Sequence, residues 1–319
     1  MIFPLDKTVI LCYHITILKW RGQKDMKSHK KQPKISHIQR GRPLPQGKEE
    51  KMKKFSVTKI LAAVLAAVLL AMSVALVGCS GETDDLAYIK KNGKIVIGIT
   101  DYPPMDYQES GSDEWIGFDA DMAKAFAESL GVNVEFIVID WGTKIAQLNS
   151  KTIDCVWNGM TLTDEVSSAM GVSDAYCKNA QVVILPADKV DSYKTVESLK
   201  SLNFAVEVGS AGKAQLEALG CKYTEVGDQT KAVMEVAAGT ADAAVIDLLL
   251  AGNLVGEGTS YSKLAIGIKL NEEEQFVVGF RKGSALVEKF NEFWKKASGD
   301  GSLDAAANKY GVQEAVIKK

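Results

Sequence analysis

An α/β fold of two lobes, with a cleft between them and two crossing segments joining them, is what the sequence from Asp85 onward predicts. Three observations carry the prediction. Short apolar runs of strand type alternate with stretches of helical periodicity, the alternation starts again in a second series, and the chain then returns through residues 275–280 to a last amphipathic helix. A β-α-β-α-β series implies parallel strands with helices on the sheet faces, and such sheets present their carboxyl-end loops to whatever they bind.

Residues 95–99 read as the first strand. Asp119 is expected to cap a helix whose apolar face holds Met122, Ala123, Phe126, Ala127 and Leu130 and which Gly131 stops. A strand over 134–139, a short helix with Ile145 and Leu148 turned inward and a strand over 153–157 complete the first series. Its strand ends carry Thr100-Asp101-Tyr102, Asp140-Trp141 and Trp157-Asn158-Gly159. The second series opens with strands over 181–185 and 204–208, and the loop Gly209-Ser210-Ala211-Gly212 leads into a helix over 215–219. Strand 223–226, a helix through Val233, Val236 and Ala237, and strand 243–246 ending in Asp247 follow. The last helix turns Leu286, Val287, Phe290, Phe293, Trp294 and Ala297 inward. The expected divisions are 85–180 for the first part of lobe one, 181–268 for lobe two and 269–319 for the completion of lobe one.

Composition divides the chain at Cys79. Residues 1–78 hold 15 of the 38 Lys+Arg, 4 of the 40 Asp+Glu and all 3 His, so the formal charge of −2 conceals a body of 241 residues at −13. That body is too acidic to bind nucleic acid or an anionic membrane face by bulk electrostatics. Upstream, Lys51-Met52-Lys53-Lys54 precede an 18-residue apolar run, 60–77, that closes on Leu76-Val77-Gly78-Cys79. A basic head, an apolar core and a small residue before the cut make a signal peptide over 52–78, followed by a linker over 79–84. The Leu-Val-Gly-Cys ending resembles a bacterial lipobox, which implies acylation of Cys79 and a lipid anchor on the outer side of the cell membrane. A plain transmembrane anchor is the alternative. Residues 1–51, polar and without periodicity, are expected to be an upstream over-extension of the reading frame, or disordered if translated. Cys155, Cys177 and Cys221 form no CxxC pair and have no His beside them, so neither a zinc site nor another cofactor is expected.

The stretch from Asp154 to Glu165 is the centre of the reading: a buried strand runs into a polar turn that opens a helix. Gly159 lets the backbone approach a bound molecule, while Thr161 and Thr163 set hydroxyls beside the free N–H groups of a helix start. Together with six other motifs in order, it resembles the extracytoplasmic substrate-binding proteins of polar amino-acid ABC importers. Those motifs are Gly98-Ile99-Thr100-Asp101-Tyr102-Pro103-Pro104, Gly117-Phe118-Asp119-Ala120-Asp121-Met122-Ala123, Asp140-Trp141, Ser173-Asp174-Ala175-Tyr176, Gly239-Thr240-Ala241-Asp242-Ala243-Ala244 and Phe280-Arg281-Lys282-Gly283. The resemblance spans Asp85 to Ile317 and implies the type II periplasmic-binding-protein fold. It also implies a monomeric receptor that hands its ligand to a membrane permease driven by a cytoplasmic ATPase.

Carried over position by position, the resemblance makes Tyr102 and Trp141 aromatic covers for the ligand. Trp157, ending its strand at the same edge, could add a face. It makes Thr161 and Ser210 carboxylate donors and Asp247 the holder of an ammonium group; Asp101, at the end of the first strand, is a further carboxylate expected in the site. One position departs. The family's carboxylate-clamping arginine is here Val166, and the only arginine of the body, Arg281, falls in a strand motif outside the site. The first expectation is therefore a polar amino acid as ligand; the second keeps the receptor and changes the ligand to a cationic amine or quaternary ammonium held by carboxylates and aromatic faces. An enzyme of the cyclohexadienyl dehydratase type is disfavoured, because the body has no His and no site arginine to act as base or clamp. A sensor that binds without transport is a further alternative.

Overall fold

The computed structural model describes residues 85–319; the expected extension, the signal-peptide run and Cys79 lie outside the described residues. After a first helix, Asp85–Asn92, the strands in chain order are β1 (Lys94–Ile99), β2 (Asn133–Val138), β3 (Cys155–Val156), β4 (Gly171–Val172), β5 (Cys177–Asn179) and β6 (Gln181–Pro186). There follow β7 (Asn203–Glu207), β8 (Lys222–Val226), β9 (Ala243–Asp247), β10 (Leu264–Lys269), β11 (Glu274–Phe276) and β12 (Gly279–Phe280). A two-stranded excursion, Tyr107–Gln108 with Trp115–Ile116, decorates the first lobe.

Two five-stranded sheets result, one per lobe, in the orders β2-β1-β3-β12-β4 and β8-β7-β9-β6-β10. Between them β5 and β11 pair antiparallel, Glu274 opposite Asn179 and Phe276 opposite Cys177, and form the two crossing segments. The two-lobed α/β expectation holds, with one correction to its parallel sheets. Each sheet is parallel only on the side built by its own β-α-β series, β2-β1-β3 and β8-β7-β9. One strand in each sheet runs against the others, β12 in the first and β6 in the second, each pairing antiparallel with both of its neighbours. These two are the first strand of each lobe that follows a crossing segment, β6 after β5 and β12 after β11, so the chain enters each sheet from the crossing end and opposes the strands of that sheet's own β-α-β series.

Helix Phe118–Leu130 buries Met122, Phe126 and Ala127 as its periodicity predicts, and Gly131 closes it in the left-handed conformation. Asp119 is not its cap. The helix starts after Gly117 without a side-chain cap, and Asp119 lies buried in the first turn, its Oδ2 accepting from the Gly159 N–H at 2.9 Å and from the Tyr176 hydroxyl at 2.6 Å. A core carboxylate thus ties this helix to the turn after β3. In the short helix Lys144–Asn149 the buried residues are Lys144 and Leu148, with Ile145 only half-buried. Arg281 is locked inside lobe one, donating to Asp85 at 2.9 Å, Asp154 at 2.8 Å and the Ile153 carbonyl at 2.7 Å. The three cysteines of the described residues are free and buried. No helix among the described residues is long and apolar enough to cross a membrane.

Candidate functional site

Both sheets aim strand ends at one cavity of about 230 Å³ between the lobes. Lobe one contributes Trp141, Lys144, the Asn158-Gly159-Met160-Thr161 turn, and Thr163 to Val166 at the start of helix Asp164–Ala169. Lobe two contributes Glu207 at the end of β7, Gly209 to Ala211 at the start of helix Ala211–Leu219, Gln229 at the start of helix Gln229–Ala238, and Asp247 at the end of β9.

The hinge end of this cavity is a nest of carboxylates. Asp247 Oδ1 accepts from Asn179 Nδ2 and from Gln181 Nε2, both at 2.6 Å, and the same two amide nitrogens also donate to Glu274 Oε1 at 2.6 Å each. Gln229 clasps Asp247 from the other side: its Nε2 donates to Oδ2 at 2.5 Å while its Oε1 accepts the Asp247 backbone N–H at 2.8 Å. Thr161 Oγ1 donates to Glu274 Oε1 at 3.0 Å and Asn271 Nδ2 to Oε2 at 3.0 Å. Burial, then the charge of Glu274, pushes Asp247 up to about 7 against the pull of the three amides. Burial, then Asp247, holds Glu207 well above the usual carboxylate range. Like charges gathered out of water raise one another's pKa in this way until a cation arrives.

The predicted site residues divide. Trp141, Gly159, Thr161, Ser210 and Asp247 all line the cavity. Tyr102 lies just beneath it, buried, its ring edge-on to Phe276 at 6.4 Å; burial first and then Asp247 push its phenol well above the ordinary range. Gly159 is needed for a different reason from the one expected. Its φ is +57°, and a Cβ there would stand 2.2 Å from Tyr102 Cε1, so glycine makes room for that ring and not for the ligand. Its N–H is already given to Asp119 and Tyr176. The Thr161 hydroxyl gives its proton to Glu274, so its oxygen can only accept from a ligand, which suits a donor more than a carboxylate. Ser210 caps its helix by accepting from the Lys213 N–H at 3.1 Å and keeps its own proton to give.

Two expected site residues stand elsewhere. Trp157 is fully buried in the aromatic core of lobe one, 4.9 Å from the Phe290 ring and in edge contact with Phe126, Tyr176 and Trp294. With both faces of the sheet covered, the strand had two inward sides, and Trp157 takes the one turned away from the cavity. Asp101 is exposed and does not line the cavity; partial burial and the charge of Asp228 raise its pKa.

Sequence reasoning missed Lys144, Glu207, Gln229 and Glu274. Glu207 ends a strand, so the rule that ligands meet strand ends would have found it. Glu274 sits in the run Glu272-Glu273-Glu274, which reads as a solvated loop. Among the described residues no group of three or more His, Cys, Asp and Glu could hold a metal ion.

Residues 95–313 match the model of the bacterial extracellular solute-binding proteins, family 3. The chain is 29% identical over 241 residues to the arginine-binding extracellular protein ArtP of Bacillus subtilis, covering 74% of this chain and 92% of that one. Among solved structures it is similar to a mutant of ArgBP from T. maritima, with 29% identity and a TM-score of 0.66 over 71% of this chain and 99% of that chain. It is similar also to an ABC uptake transporter substrate-binding protein from Streptococcus pneumoniae with bound histidine, with 28% identity and a TM-score of 0.64 over 72% and 96%.

Proposed function

Because this chain belongs to the bacterial extracellular solute-binding proteins of family 3, we propose that it is a lipid-anchored extracytoplasmic receptor that captures a cationic α-amino acid between its lobes and delivers it to an ABC permease. The observation that carries the ligand class is that buried Asp247 and Glu207 both line the cavity, while half-buried Glu274 shares with Asp247 the amides of Asn179 and Gln181, and no cation pairs with Asp247 or Glu274 among the described residues. Buried carboxylates without a counter-ion cost several kcal/mol, of order 3–5 for a broken pair, and a ligand that brings positive charge recovers it. Some relatives fit this class, since ArtP and ArgBP are named for arginine and the pneumococcal protein holds histidine, whereas others are named for cystine and glutamine. The ligand acts by favouring the closed arrangement of the lobes, and no reacting group is required.

A second reading keeps the receptor and takes a carboxylate-free cation. Val166 in the cavity wall and the spent hydroxyl proton of Thr161 favour it. Calorimetry of the full-length protein in detergent with L-arginine, L-histidine, L-lysine, L-glutamine and agmatine separates the readings. The first expects a cationic amino acid to bind tightest; preference for agmatine establishes the second, and preference for L-glutamine removes both. Anchoring is read separately: wild type should partition into a detergent phase and carry lipid, and Cys79→Ala should carry no lipid.

A further inference from the structure

Resting on the reading of this chain as an amino-acid receptor, we propose that Lys144 receives the ligand's carboxylate, doing from the opposite wall what an arginine at the position of Val166 would do. Lys144 is the one cation lining the cavity among the described residues, and it is buried, with only 5% of the residue exposed. Its Nζ donates to the Trp141 carbonyl at 3.2 Å and, across the lobes, to the Gly209 carbonyl at 2.9 Å, and it stands 4.9 Å from the centre of the Trp141 ring. An ammonium group has three donors, so these two contacts leave one unspent. No described ion pair engages it; Glu165, Glu207 and Asp140 act on it only from a distance, and burial lowers its pKa. A buried cation satisfied by carbonyls alone is a costly arrangement that an arriving anion relieves.

The surroundings suit a carboxylate. The same cavity wall carries Ser210, whose hydroxyl proton is free to donate, and the start of the nine-residue helix Ala211–Leu219, whose first N–H groups have no acceptor within their own helix. Arg281 is held by Asp85 and Asp154 in the core of lobe one and has no part in this. The cavity also carries Asp164, Glu165 and Glu207 on its walls, but none of them forms an ion pair with Lys144, whose ammonium group lies against the Gly209 carbonyl. Lys144 belongs to lobe one and the helix start to lobe two, so a carboxylate held by both draws the lobes together.

The test compares L-arginine with its carboxamide, L-argininamide, by calorimetry on full-length wild type, Lys144→Met and Lys144→Arg. Loss of a charge-assisted contact should weaken L-arginine binding to Lys144→Met by roughly 30-fold or more. The same substitution should leave L-argininamide within about threefold, and Lys144→Arg should keep most of the preference for the carboxylate, as general expectations of a charge partner. Val166→Arg added to Lys144→Met should restore L-arginine binding from the other wall. Unchanged L-arginine affinity in Lys144→Met, or equal weakening of both ligands, overturns the assignment and leaves Lys144 a packing or closing contact. If wild type prefers a neutral amino acid, the cationic reading fails, and the same carboxylate and carboxamide comparison with L-glutamine still decides Lys144. If wild type binds amines and no α-amino acid, both fail. Should Lys144→Met lose its circular dichroism signal, Lys144→Gln carries the same comparison.

Discussion

Replacing Asp247 by asparagine removes the central charge of the hinge-end nest while keeping its shape. Three amide nitrogens converge on its two oxygens, at 2.5 to 2.6 Å, so an asparagine must turn its own NH₂ toward one of them. Gln229 cannot flip to relieve this, because its Oε1 is held by the backbone N–H of residue 247. That mismatch costs about 1–3 kcal/mol. Against it stands relief: with Asp247 pushed up to about 7 by burial and Glu274, the free protein at neutral pH already tolerates a neutral group there. The two effects oppose, and the melting temperature of the ligand-free variant should move by only a few degrees. Binding has no such compensation. Losing a desolvated partner costs about 2–5 kcal/mol, and since Glu274 remains in place the lower end applies, roughly 30-fold in affinity. Isothermal titration of L-arginine into wild type and variant measures it, with Asp101→Asn as the control that should stay within about twofold, being an exposed charge. A folded Asp247→Asn protein with wild-type affinity would refute the reasoning and leave the carboxylate nest without a ligand to explain.

The pH dependence follows from the same group. Its folded pKa lies near 7 against an ordinary 3.8, so between those values the folded protein keeps a proton that the unfolded chain has released, and ligand-free stability should fall as pH rises through that window, Asp119 adding in the same direction. A cationic ligand needs Asp247 ionised, so L-arginine affinity should rise by up to about tenfold per unit toward pH 7 and level off above it; a flat profile from pH 5 to 8 by calorimetry contradicts this. Gly142→Val tests closure: a Cβ at Gly142 would meet Val208 Cγ2 of the other lobe at 3.0 Å, so affinity should drop by roughly tenfold and the scattering radius of the liganded protein should grow, with ligand-free stability little changed. An unaltered radius and affinity would mean that the two surfaces need not meet. Trp157→Phe should cost roughly 2 kcal/mol in denaturant unfolding and leave affinity within about twofold, whereas a selective loss of binding would return Trp157 to the site.

The lobes were legible because each strand and helix declares itself locally, by period and by the glycines that end helices. The site was legible only where a residue's chemistry and its place at a strand end coincide, as with Asp247 and Trp141. Orientation was the hidden quantity. Residues 155–157 are wholly apolar with both sheet faces covered, so alternation could not say that Val156 packs toward Met160 and Val166 while Trp157 packs toward Phe290. Lys144 and Glu274 were hidden because long charged residues usually belong to solvent. Yet β11 alternates as a strand should: Glu274 and Phe276 are the more buried and Gln275 is exposed, so the third glutamate of an acidic run meets the amides of Asn179 and Gln181. Its partner across the crossing pair is Asn179, and the two share a hydrogen bond with each other and a neighbour in Asp247. The carboxylates are thus tied together across elements: Asp247 ends a strand of lobe two, while Glu274 and Asn179 sit on the two crossing segments. Under the proposed reading, a positive ligand paired with Asp247 would act on lobe two directly and on the crossing segments through Asn179, whose amide also meets Glu274.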